Sequence, residues 1–574
     1  MLMKLTNSML PLHRSLAGVF IHPAVFLAGI VFSAGSYGAD LMTAIQVYES
    51  GDVEAAFVEF SELAEQGNSE AQLRLGHMYA EGEGVEQSLS EAGRLYSLAA
   101  DAGNPEAQVA MGDRYISGME GLPDTDEAYR LYELAAKQGY AQAQVKLGNM
   151  HFTGQGVDQD YNEAARYFSL AAEQENDQAL VALGNLYVSG QGVEQNSQEA
   201  VRLYQLAVDQ GFAPAQVNLG NQYYTGQGVE QNYEAAIDLY ELAAEQGYDS
   251  AQVFLGNIYT EGVVVPQDYD LARTLFTAAA DQSNAEAIFM LGYLFENGFG
   301  VGADFEQALR LYERAADFGS AEAQFILGAK YDAGEGFPQN ATIAASLYQL
   351  AAQQGFARAQ VALANKLYLG IGLPQNLSEA QRYYRLAADQ MNAEAQTNLG
   401  VMYTNGQVVD QDFEAAINLY RSAAEQNYSQ AFVNLGWMYA NGMGVEQDLA
   451  ETIRYYRLAA EQNDAQAMVN LGNMYANGQG AAQDFEEAVK FFRSAATLGF
   501  APAQANLAVM YVNGLGVAES SLQNAYMWAS LAAAQGNAQA AAYIEVLEQQ
   551  LTSEEINAAL ENARNCVASD FSAC

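Results

Sequence analysis

The chain contains few of the residues that usually carry enzyme chemistry. Its 574 residues include two cysteines and four histidines, and only His77 and His151 follow the first 38 residues. Because a Ser or Cys nucleophile is usually activated by a nearby His, this scarcity argues against nucleophilic catalysis. The lysines that could serve as a base are few and scattered along the chain. We therefore expect no enzyme activity, no cofactor and no metal site.

Basic residues are scarce as well. The chain has 24 Lys and Arg against 70 Asp and Glu, which gives a formal net charge of −46. Phosphate groups would be repelled, and this argues against nucleic acid and against anionic lipid surfaces as partners. The acidity favours basic, neutral or cation-bridged partners, and solubility in a salty environment explains it equally well.

What the sequence does contain is a repeat of 36 residues. A Leu-Gly or Leu-Ala step, with Met111-Gly112 as its one Met variant, recurs thirteen times without insertion from Leu75-Gly76 to Leu507-Ala508. A fixed period of this length is typical of a solenoid, in which each unit buries its apolar face against its neighbours.

Each unit begins with an amphipathic segment. Ala71, Leu75 and Tyr79 follow one another at four-residue steps, which place them on one helix face. Gly82 and its equivalents come seven residues after the Leu, where a helix can end in a left-handed residue. The spacing predicts a first helix over residues 69 to 80 of the first unit and over the same segment of the others.

A second helix follows the turn. Its start is predicted at a Ser, Asp or Asn in every unit, because these residues accept hydrogen bonds from the free N–H groups of a helix N-terminus. The thirteen predicted N-caps are Ser88, Asp124, Asp160, Asn196, Asn232, Asp268, Asp304, Asn340, Asn376, Asp412, Asp448, Asp484 and Ser520. Seven have a Glu three residues later, which predicts a capping box: Glu91, Glu127, Glu163, Glu199, Glu379, Glu451 and Glu487.

The second helix carries Ala92, Tyr96, Ala99 and Ala100, again at three- and four-residue steps. Two helices every 36 residues, joined by tight Gly turns, predict an all-α solenoid of stacked antiparallel helix pairs. The pattern A-x-x-x-L-G-x-x-Y-x-x-G-x-G-V-x-Q-[DN]-x-x-x-A-x-x-x-Y-x-x-A-A-x-x-G resembles the Sel1-like repeat family, a branch of the tetratricopeptide-like helical repeats. The resemblance implies a right-handed superhelix whose first helices line an inner groove, and a binding function.

The two ends of the chain depart from the repeat. Residues 1–38 combine Lys4 and Arg14 with an apolar stretch and small residues before residue 39, which predicts a secretory signal peptide; an uncleaved membrane anchor is the alternative. Residues 39–70 are interpreted as a partial repeat that caps the N-terminus, 71–540 as the thirteen units, and 541–574 as a capping helix with a cysteine tail. One residue is inserted near Leu531, and Thr552 with Glu555 predicts a capping box for the last helix.

Cys566 and Cys574 are the two cysteines, eight residues apart in that tail. In an exported protein such a pair is expected to form a disulfide. Intermolecular pairing through Cys574 is one alternative, and a metal site is another, although two thiols without a nearby His make an incomplete ligand set.

Asparagine is unexpectedly frequent in the first helix, although it is a poor helix former. It recurs one residue before and two residues after the Leu, at positions that share a helix face with two aromatic residues. The candidate ligand groove consists of Asn218, Asn221, Tyr293, Asn398, Asn434, Trp437, Asn470, Asn473 and Asn506. These amides could bind the backbone of an extended peptide or the hydroxyls of a sugar stacked on Trp437. The alternative is that they bond to one another between neighbouring helices.

The sequence therefore predicts a monomeric, non-enzymatic protein–protein interaction scaffold, exported to the periplasm or secreted, with protein partners in the cell envelope or in a host. A glycan-binding scaffold in exopolysaccharide or cell-wall handling is the second hypothesis. The resemblance also extends to cysteine-rich members described as penicillin-binding or β-lactamase-like, which would hydrolyse cell-wall peptides. Those members carry a Cys pair in each repeat and no repeat of this chain does, so this third hypothesis lacks its motif.

Overall fold

The computed structural model describes residues 40–119, 121, 123–569 and 571. Throughout this part of the chain the regular elements are α-helices, thirty in number, and none of them is long and apolar enough to cross a membrane. The predicted signal segment 1–38 and Cys574 lie outside the described residues. The chain divides into two compact units, residues 1–207 and 208–574.

The first unit contains ten helices, the last of which extends two residues beyond it. Their bounds are α1 Leu41–Glu49, α2 Val53–Glu65, α3 Ser69–Glu81, α4 Leu89–Asp101, α5 Pro105–Ser117, α6 Thr125–Lys137, α7 Ala141–Thr153, α8 Tyr161–Ala172, α9 Asp177–Ser189 and α10 Ser197–Asp209.

The second unit contains twenty helices. Their bounds are α11 Ala213–Thr225, α12 Tyr233–Glu245, α13 Asp249–Glu261, α14 Tyr269–Asp281, α15 Ala285–Asn297, α16 Phe305–Asp317, α17 Ala321–Ala333, α18 Ala341–Gln353, α19 Ala357–Leu369, α20 Leu377–Asp389, α21 Ala393–Asn405, α22 Phe413–Glu425, α23 Ser429–Asn441, α24 Leu449–Ala460, α25 Ala465–Asn477, α26 Phe485–Thr497, α27 Ala501–Asn513, α28 Leu522–Ala534, α29 Ala538–Leu547 and α30 Ser553–Ala568.

Helix pairs are the building block of both units. From α3 onward the odd-numbered helices are the predicted first helices and the even-numbered ones the second helices, up to α28. In the twelve pairs other than α9 and α10, the first helix packs most extensively against the second helix that follows it, as α3 does against α4 and α11 against α12. The predicted solenoid of helix pairs with a 36-residue period is confirmed.

Helix ends form largely as the residue types predict. Gly82 adopts the left-handed conformation with φ 78°, and Ser88 Oγ accepts the Glu91 N–H at the start of α4. The other predicted N-caps up to Asp484 also accept a helix N–H through their side chains, so twelve of the thirteen are confirmed. The box formed by Thr552 and Glu555 is confirmed as well.

The seven capping boxes predicted for the second helices are wrong in one of their two hydrogen bonds, the one from the N-cap backbone N–H to the Glu side chain. Each Glu pairs with the basic residue three positions later and does not reach back to the N-cap. The pairs are Glu91–Arg94, Glu127–Arg130, Glu163–Arg166, Glu199–Arg202, Glu379–Arg382, Glu451–Arg454 and Glu487–Lys490. A bond between two opposite charges is stronger than one to a neutral backbone N–H, so the Glu turns along the helix.

The thirteenth N-cap and the predicted insertion site are also wrong. Helix α28 is capped by Ser521, whose Oγ accepts the Asn524 N–H, whereas Ser520 lies in the turn and donates to the carbonyl of Tyr511. The extra residue therefore lies between Gly514 and Ser521 and not near Leu531. A turn accommodates an added residue without disturbing packing, whereas an insertion inside a helix would rotate its buried face.

The glycine after the repeated Leu is required by a close aromatic contact. A Cβ on Gly76 would lie 2.6 Å from Cε1 of Tyr96, and a Cβ on Gly256 would lie 2.5 Å from Cε1 of Phe276. The aromatic residue twenty positions later makes this contact in eleven repeats: Tyr96, Tyr132, Phe168, Tyr204, Tyr240, Phe276, Tyr312, Tyr348, Tyr420, Tyr456 and Phe492. The glycine thus lets the ring lie directly on the first-helix backbone.

Replacement of Gly256 by Ala tests this contact. Ala is favoured over Gly inside a helix by about 1 kcal/mol, so helix propensity alone predicts stabilisation. We expect the opposite, a loss of about 1–3 kcal/mol, because the added methyl displaces the fully buried ring of Phe276. Hydrogen exchange of α13 and α14 measures the local stability. Ala364→Gly, at a repeat that already has Ala, is the matched control; a more stable G256A protein would contradict the steric argument.

Buried glutamines, which were not predicted from the sequence, link successive repeats. Gln360, three residues before the repeated Leu, donates from Nε2 to the carbonyl of Ala352 in the preceding second helix (3.3 Å), and its Oε1 accepts from Gln390 (2.9 Å). The same pair, thirty residues apart, occurs at Gln108–Gln138, Gln144–Gln174, Gln216–Gln246, Gln252–Gln282, Gln324–Gln354, Gln396–Gln426 and Gln504–Gln535, the last one residue longer. These buried amides are thus paired with backbone and with each other.

The first of these glutamines lacks its second partner. Gln72 donates to the carbonyl of Ala64, but its Oε1 is buried and unpaired because the residue thirty positions later is Ala102. An unsatisfied buried acceptor costs about 1–3 kcal/mol.

Ala102→Gln should therefore stabilise the N-terminal repeats. The new amide would lie at the same helix end as Gln138 and donate to Gln72, raising local stability by about 1 kcal/mol. Hydrogen exchange of α3 to α5 is the measurement. Ala102→Glu, which has the same shape but no N–H to donate, is the control and should give no gain; equal gains from both would show that the missing bond is irrelevant.

Candidate functional site

The predicted groove residues lie on exposed or half-buried parts of the first helices of the second unit. In α21, α23, α25 and α27 they share a helix face with residues six positions after the repeated Leu. We call these twelve positions the asparagine face: Asn398, Val401, Asn405, Asn434, Trp437, Asn441, Asn470, Asn473, Asn477, Asn506, Val509 and Asn513. None of the twelve is charged, in a chain with 70 acidic residues.

Hydrogen bonds between side-chain amides of neighbouring first helices hold part of the asparagine face together. Asn398 Nδ2 donates to Oδ1 of Asn365 at 3.3 Å, and Asn506 Nδ2 donates to Oδ1 of Asn473 at the same distance. Asn434 Nδ2 is buried without a partner, because the equivalent residue of the preceding repeat is Val401. The alternative of mutual bonding, left open by the sequence, thus describes Asn473 with Asn506, both predicted groove residues, and Asn398 with Asn365, of which only Asn398 was predicted.

Other asparagines bind tyrosines of the second helices. Asn221 accepts the hydroxyl of Tyr240 at 2.7 Å, and Asn365 accepts that of Tyr384 at 2.6 Å. Burial raises the pKa of both tyrosines, which keeps their hydroxyls protonated as donors. Where the second helix has Phe, as at Phe276, the corresponding Asn257 bonds instead to Glu286 at 3.3 Å. These amides stabilise the helix pairs and leave one side open to solvent.

Asn221 and Asn257 also line one cavity of about 350 Å³. Its walls are the stacked rings of Tyr240 and Phe254, whose centroids are 5.5 Å apart, together with Tyr224, Thr225, Ile258 and Glu261. A cavity with aromatic walls and a few amide groups is suited to a side chain of a partner or to a small polar ligand.

The two aromatic residues predicted for the groove are both exposed, Tyr293 by 37% and Trp437 by 42%. Tyr293 packs on Phe299 in the next turn, with ring centroids 5.8 Å apart. Trp437 lies on the asparagine face, and its backbone carbonyl accepts Nδ2 of Asn441 at 2.8 Å. The indole of Trp437 is therefore the largest apolar surface on this face.

In the described part of the chain, both histidines contact a tyrosine hydroxyl and all five lysines pair with a carboxylate. His77 Nδ1 lies 3.0 Å from the hydroxyl of Tyr96, and His151 Nε2 lies 3.2 Å from that of Tyr129, while His151 Nδ1 is buried without a partner. Lys330 binds Glu296 at 2.5 Å. Lys366 makes the equivalent bond to Asp332. Among the residues that the structure describes, no three His, Cys, Asp or Glu side chains are grouped closely enough to hold a metal ion.

Cys566 is buried in α30, and its predicted disulfide partner Cys574 lies outside the described residues.

Six members of the asparagine face were not predicted from the sequence: Val401, Val509, Asn405, Asn441, Asn477 and Asn513. Each of these four asparagines directly precedes the glycine that ends the first helix, and an Asn-Gly step is typical of a turn. The available signal was the seven-residue spacing from Asn398 to Asn405, which corresponds to two helical turns.

Comparison with known proteins gives a family for this repeat. The Sel1 repeat profile matches thirteen segments: residues 69–104, 105–140, 141–176, 177–212, 213–248, 249–284, 285–320, 321–356, 357–390, 393–428, 430–464, 465–500 and 501–537. A search of curated protein sequences found no significant match.

Solved structures with similar folds include two bacterial repeat proteins. A protective antigen of uropathogenic Escherichia coli with an SLR fold is 28% identical, with 90% of this chain and 96% of that one aligned and a TM-score of 0.43. A Sel1 repeat protein from Oxalobacter formigenes is 32% identical, with 42% of this chain and 100% of that one aligned and a TM-score of 0.40.

The Glu296–Lys330 pair beside Tyr293 predicts a pH-dependent stability. Burial raises the pKa of Glu296, but the bonds from Lys330 and Tyr312 outweigh it and lower the pKa below its usual value. The ionised carboxyl therefore stabilises the fold above pH ~4.5, and this contribution is lost as the pH falls through the lowered pKa.

Glu296→Gln should destabilise α15 to α17 by about 3 kcal/mol at pH 7, because Lys330 is 8% exposed and would lose its counter-charge. The difference from the unchanged protein should shrink below pH ~4, as measured by hydrogen exchange at both pH values. Glu313→Gln, at an exposed position on α16, is the control. A difference that is constant with pH would show that ionisation of Glu296 does not contribute.

Proposed function

The chain belongs to the Sel1 repeat family, and we propose that it is a non-enzymatic scaffold that binds protein partners through the asparagine face. The observation that carries this proposal is the run of uncharged, solvent-facing amides over four successive repeats around the exposed Trp437. A scaffold of this kind acts by holding partners, and we propose that it does so as a monomer.

Amide side chains suit the recognition of a polypeptide backbone. Each Asn offers one acceptor oxygen and two N–H donors, which match the carbonyl and N–H groups of an extended partner segment. Neutral amides also lose less solvation energy on burial than carboxylates do. An exposed indole commonly acts as a binding anchor, so Trp437 would supply apolar contact area at the centre of this surface.

We further propose that the protein is exported to the periplasm or secreted, with partners in the cell envelope or in a host. The support is the apolar N-terminal segment preceded by Lys4 and Arg14. Retention by an uncleaved anchor is the alternative.

Glycan binding is the second candidate function. It is favoured by the position of Trp437 between Asn434 and Asn441 on one helix face, since an exposed aromatic ring flanked by amides can stack on a sugar and bond its hydroxyls. Loss of glycan retention by the Trp437→Ala, Asn473→Ala double variant would support it.

Site-specific photocrosslinking in the native host tests the scaffold function. A benzophenone amino acid at position 437 should form crosslinks to a defined envelope or extracellular protein, and Asn434→Ala with Asn473→Ala should abolish them, because the amides align the partner. The same probe at Leu350, an exposed residue of α18, is the control. Cell fractionation in the same experiment reports whether the chain is exported.

Crosslinks that are equal from both positions, or that survive the amide substitutions, would contradict binding through this face. A chain of uncleaved mass in the cytoplasm would contradict export.

A further inference from the structure

A second surface of the same unit carries four arginines at one repeat position. Arg385, Arg421, Arg457 and Arg493 follow one another at 36-residue steps on α20, α22, α24 and α26, and we call them the arginine row. Each donates a guanidinium N–H to a tyrosine hydroxyl of the next first helix. The pairs are Arg385–Tyr403 at 2.9 Å, Arg421–Tyr439 at 3.1 Å, Arg493–Tyr511 at 2.8 Å, and Arg457–Tyr475.

The four arginines of the row form no ion pair with a carboxylate among the described residues; Arg314 and Arg358 likewise contact a backbone carbonyl and an aromatic ring instead. Nine other arginines form ion pairs with a Glu or Asp of their own helix: Arg74, Arg94, Arg130, Arg166, Arg202, Arg273, Arg310, Arg382 and Arg454. With about three acidic residues for each basic one, four consecutive unpaired arginines leave an exposed positive strip on an otherwise acidic protein.

Aromatic rings fill the spaces in the row. The ring of Tyr439 stacks on Tyr455 with centroids 5.6 Å apart, and Arg454 lies 4.1 Å above the Tyr455 ring. Tyr475 stacks on Phe491 at 5.8 Å. The tyrosine hydroxyls and these stacked rings fix the guanidinium groups in place, so less side-chain entropy is lost when they bind.

The charge at the repeat position of the arginine row changes along residues 208–574. The equivalent residues of the preceding second helices are Glu241, Thr277, Glu313 and Gln349. The positive strip is therefore confined to the four second helices from α20 to α26, and the earlier repeats carry two acidic residues at the same place.

Carboxylates flank the arginine row without pairing with it. Asp389, Glu425 and Glu461 follow three of the arginines by four residues, and the ion pairs of the described residues include none between them and the row. At the C-terminal end, Lys490 and Arg493 line an open cavity of about 870 Å³ that also contains Asp484 and Glu486. Asp484 is occupied as the N-cap of α26, and Lys490 is paired with Glu487. Arg493 is thus the basic group in this cavity that has no acidic partner.

We propose that the arginine row binds an extended acidic segment of the partner protein, an inference that rests on the proposed scaffold function. Stacked helices lie about 8–10 Å apart, and an extended chain advances about 3.3 Å per residue, so a Glu or Asp at every third residue would match the row. Arginine bonds a carboxylate with two parallel N–H groups. Screening at physiological salt acts beyond about 8 Å, so the more distant acidic residues of the chain oppose this binding less than the flanking carboxylates do.

Fluorescence anisotropy with the full chain tests this proposal. The probe is a labelled peptide of about 12 residues with Glu at every third position. We expect binding that weakens as salt is raised. One variant should weaken binding at least about tenfold: it combines Arg385→Gln, Arg421→Gln, Arg457→Gln and Arg493→Gln. The matched control is Arg94→Gln, Arg130→Gln, Arg202→Gln and Arg310→Gln, which removes the same charge and should change affinity less than about twofold.

A second variant protects the test from a folding defect. Replacement of the four arginines by Lys keeps the charge but not the two-point geometry, and should weaken binding a few-fold. No binding of the peptide, or equal loss in the row and control variants, would overturn the proposal. Preferential binding of polygalacturonate would do so as well, because it would identify an acidic glycan as the occupant.

The scaffold function and the arginine row can fail separately. Crosslinks from position 437 that persist in the four-Gln variant, together with no peptide binding, would leave the scaffold intact and reject the acidic segment. Loss of the position-437 crosslinks with peptide binding unchanged would reject binding through the asparagine face and leave the arginine row supported.

Discussion

The close contact between the repeat glycine and an aromatic ring of the second helix determines how each helix pair packs. With Gly at position 256, the ring of Phe276 lies against the first-helix backbone at a distance that a Cβ would not allow. Two repeats have Ala at this position, Ala364 and Ala508, and both are fully buried or nearly so. In the repeat of Ala508 the second helix is shifted by one residue and its large buried ring is Trp528. In the eleven repeats that have this contact, it limits how far apart the two helices can lie.

Buried glutamines form hydrogen bonds both within their own repeat and with the repeat before it. The buried glutamines bond to a preceding carbonyl and to a following glutamine, so each repeat satisfies polar atoms of its neighbours. Where Ile288 or Met468 replaces the glutamine, the residue thirty positions later is Phe318 or Leu498, so neither partner brings an amide. The pairing is not complete: Phe432 replaces the glutamine while Gln462 is retained thirty positions later, and Gln462 donates to Asn427 instead.

Local sequence patterns predicted the fold well because helix ends and buried faces depend on neighbouring residues. The predicted first helix, 69 to 80, matches Ser69–Glu81 to one residue, and Ser88 and Asp484 cap their helices as expected. Positions where two local arrangements compete were not predictable in this way. Glu91 turns to Arg94 because two ways of satisfying its charge compete, and the position of the extra residue before Ser521 depends on what a turn tolerates. Half of the asparagine face was predicted from the sequence. Which of its amides form hydrogen bonds and which face solvent depends on the neighbouring helices, so it could not be predicted.

The number of repeats in such an array can change by loss or duplication of whole units. Contacts within one helix pair and contacts between successive pairs respond differently to such a change. Loss or duplication of a 36-residue unit leaves the contact between Gly256 and Phe276 intact, because both residues belong to one unit. Links between units survive only where the same residue types recur, as in the arginine–tyrosine pairs of the later repeats. The bond between Lys330 and Glu296 has one similar copy, Lys366 with Asp332, and would be lost in most rearrangements. Recombination by whole units would therefore preserve the arginine–tyrosine links from α20 to α27, where they recur in successive units, and would break the lysine–carboxylate links around α15 to α19.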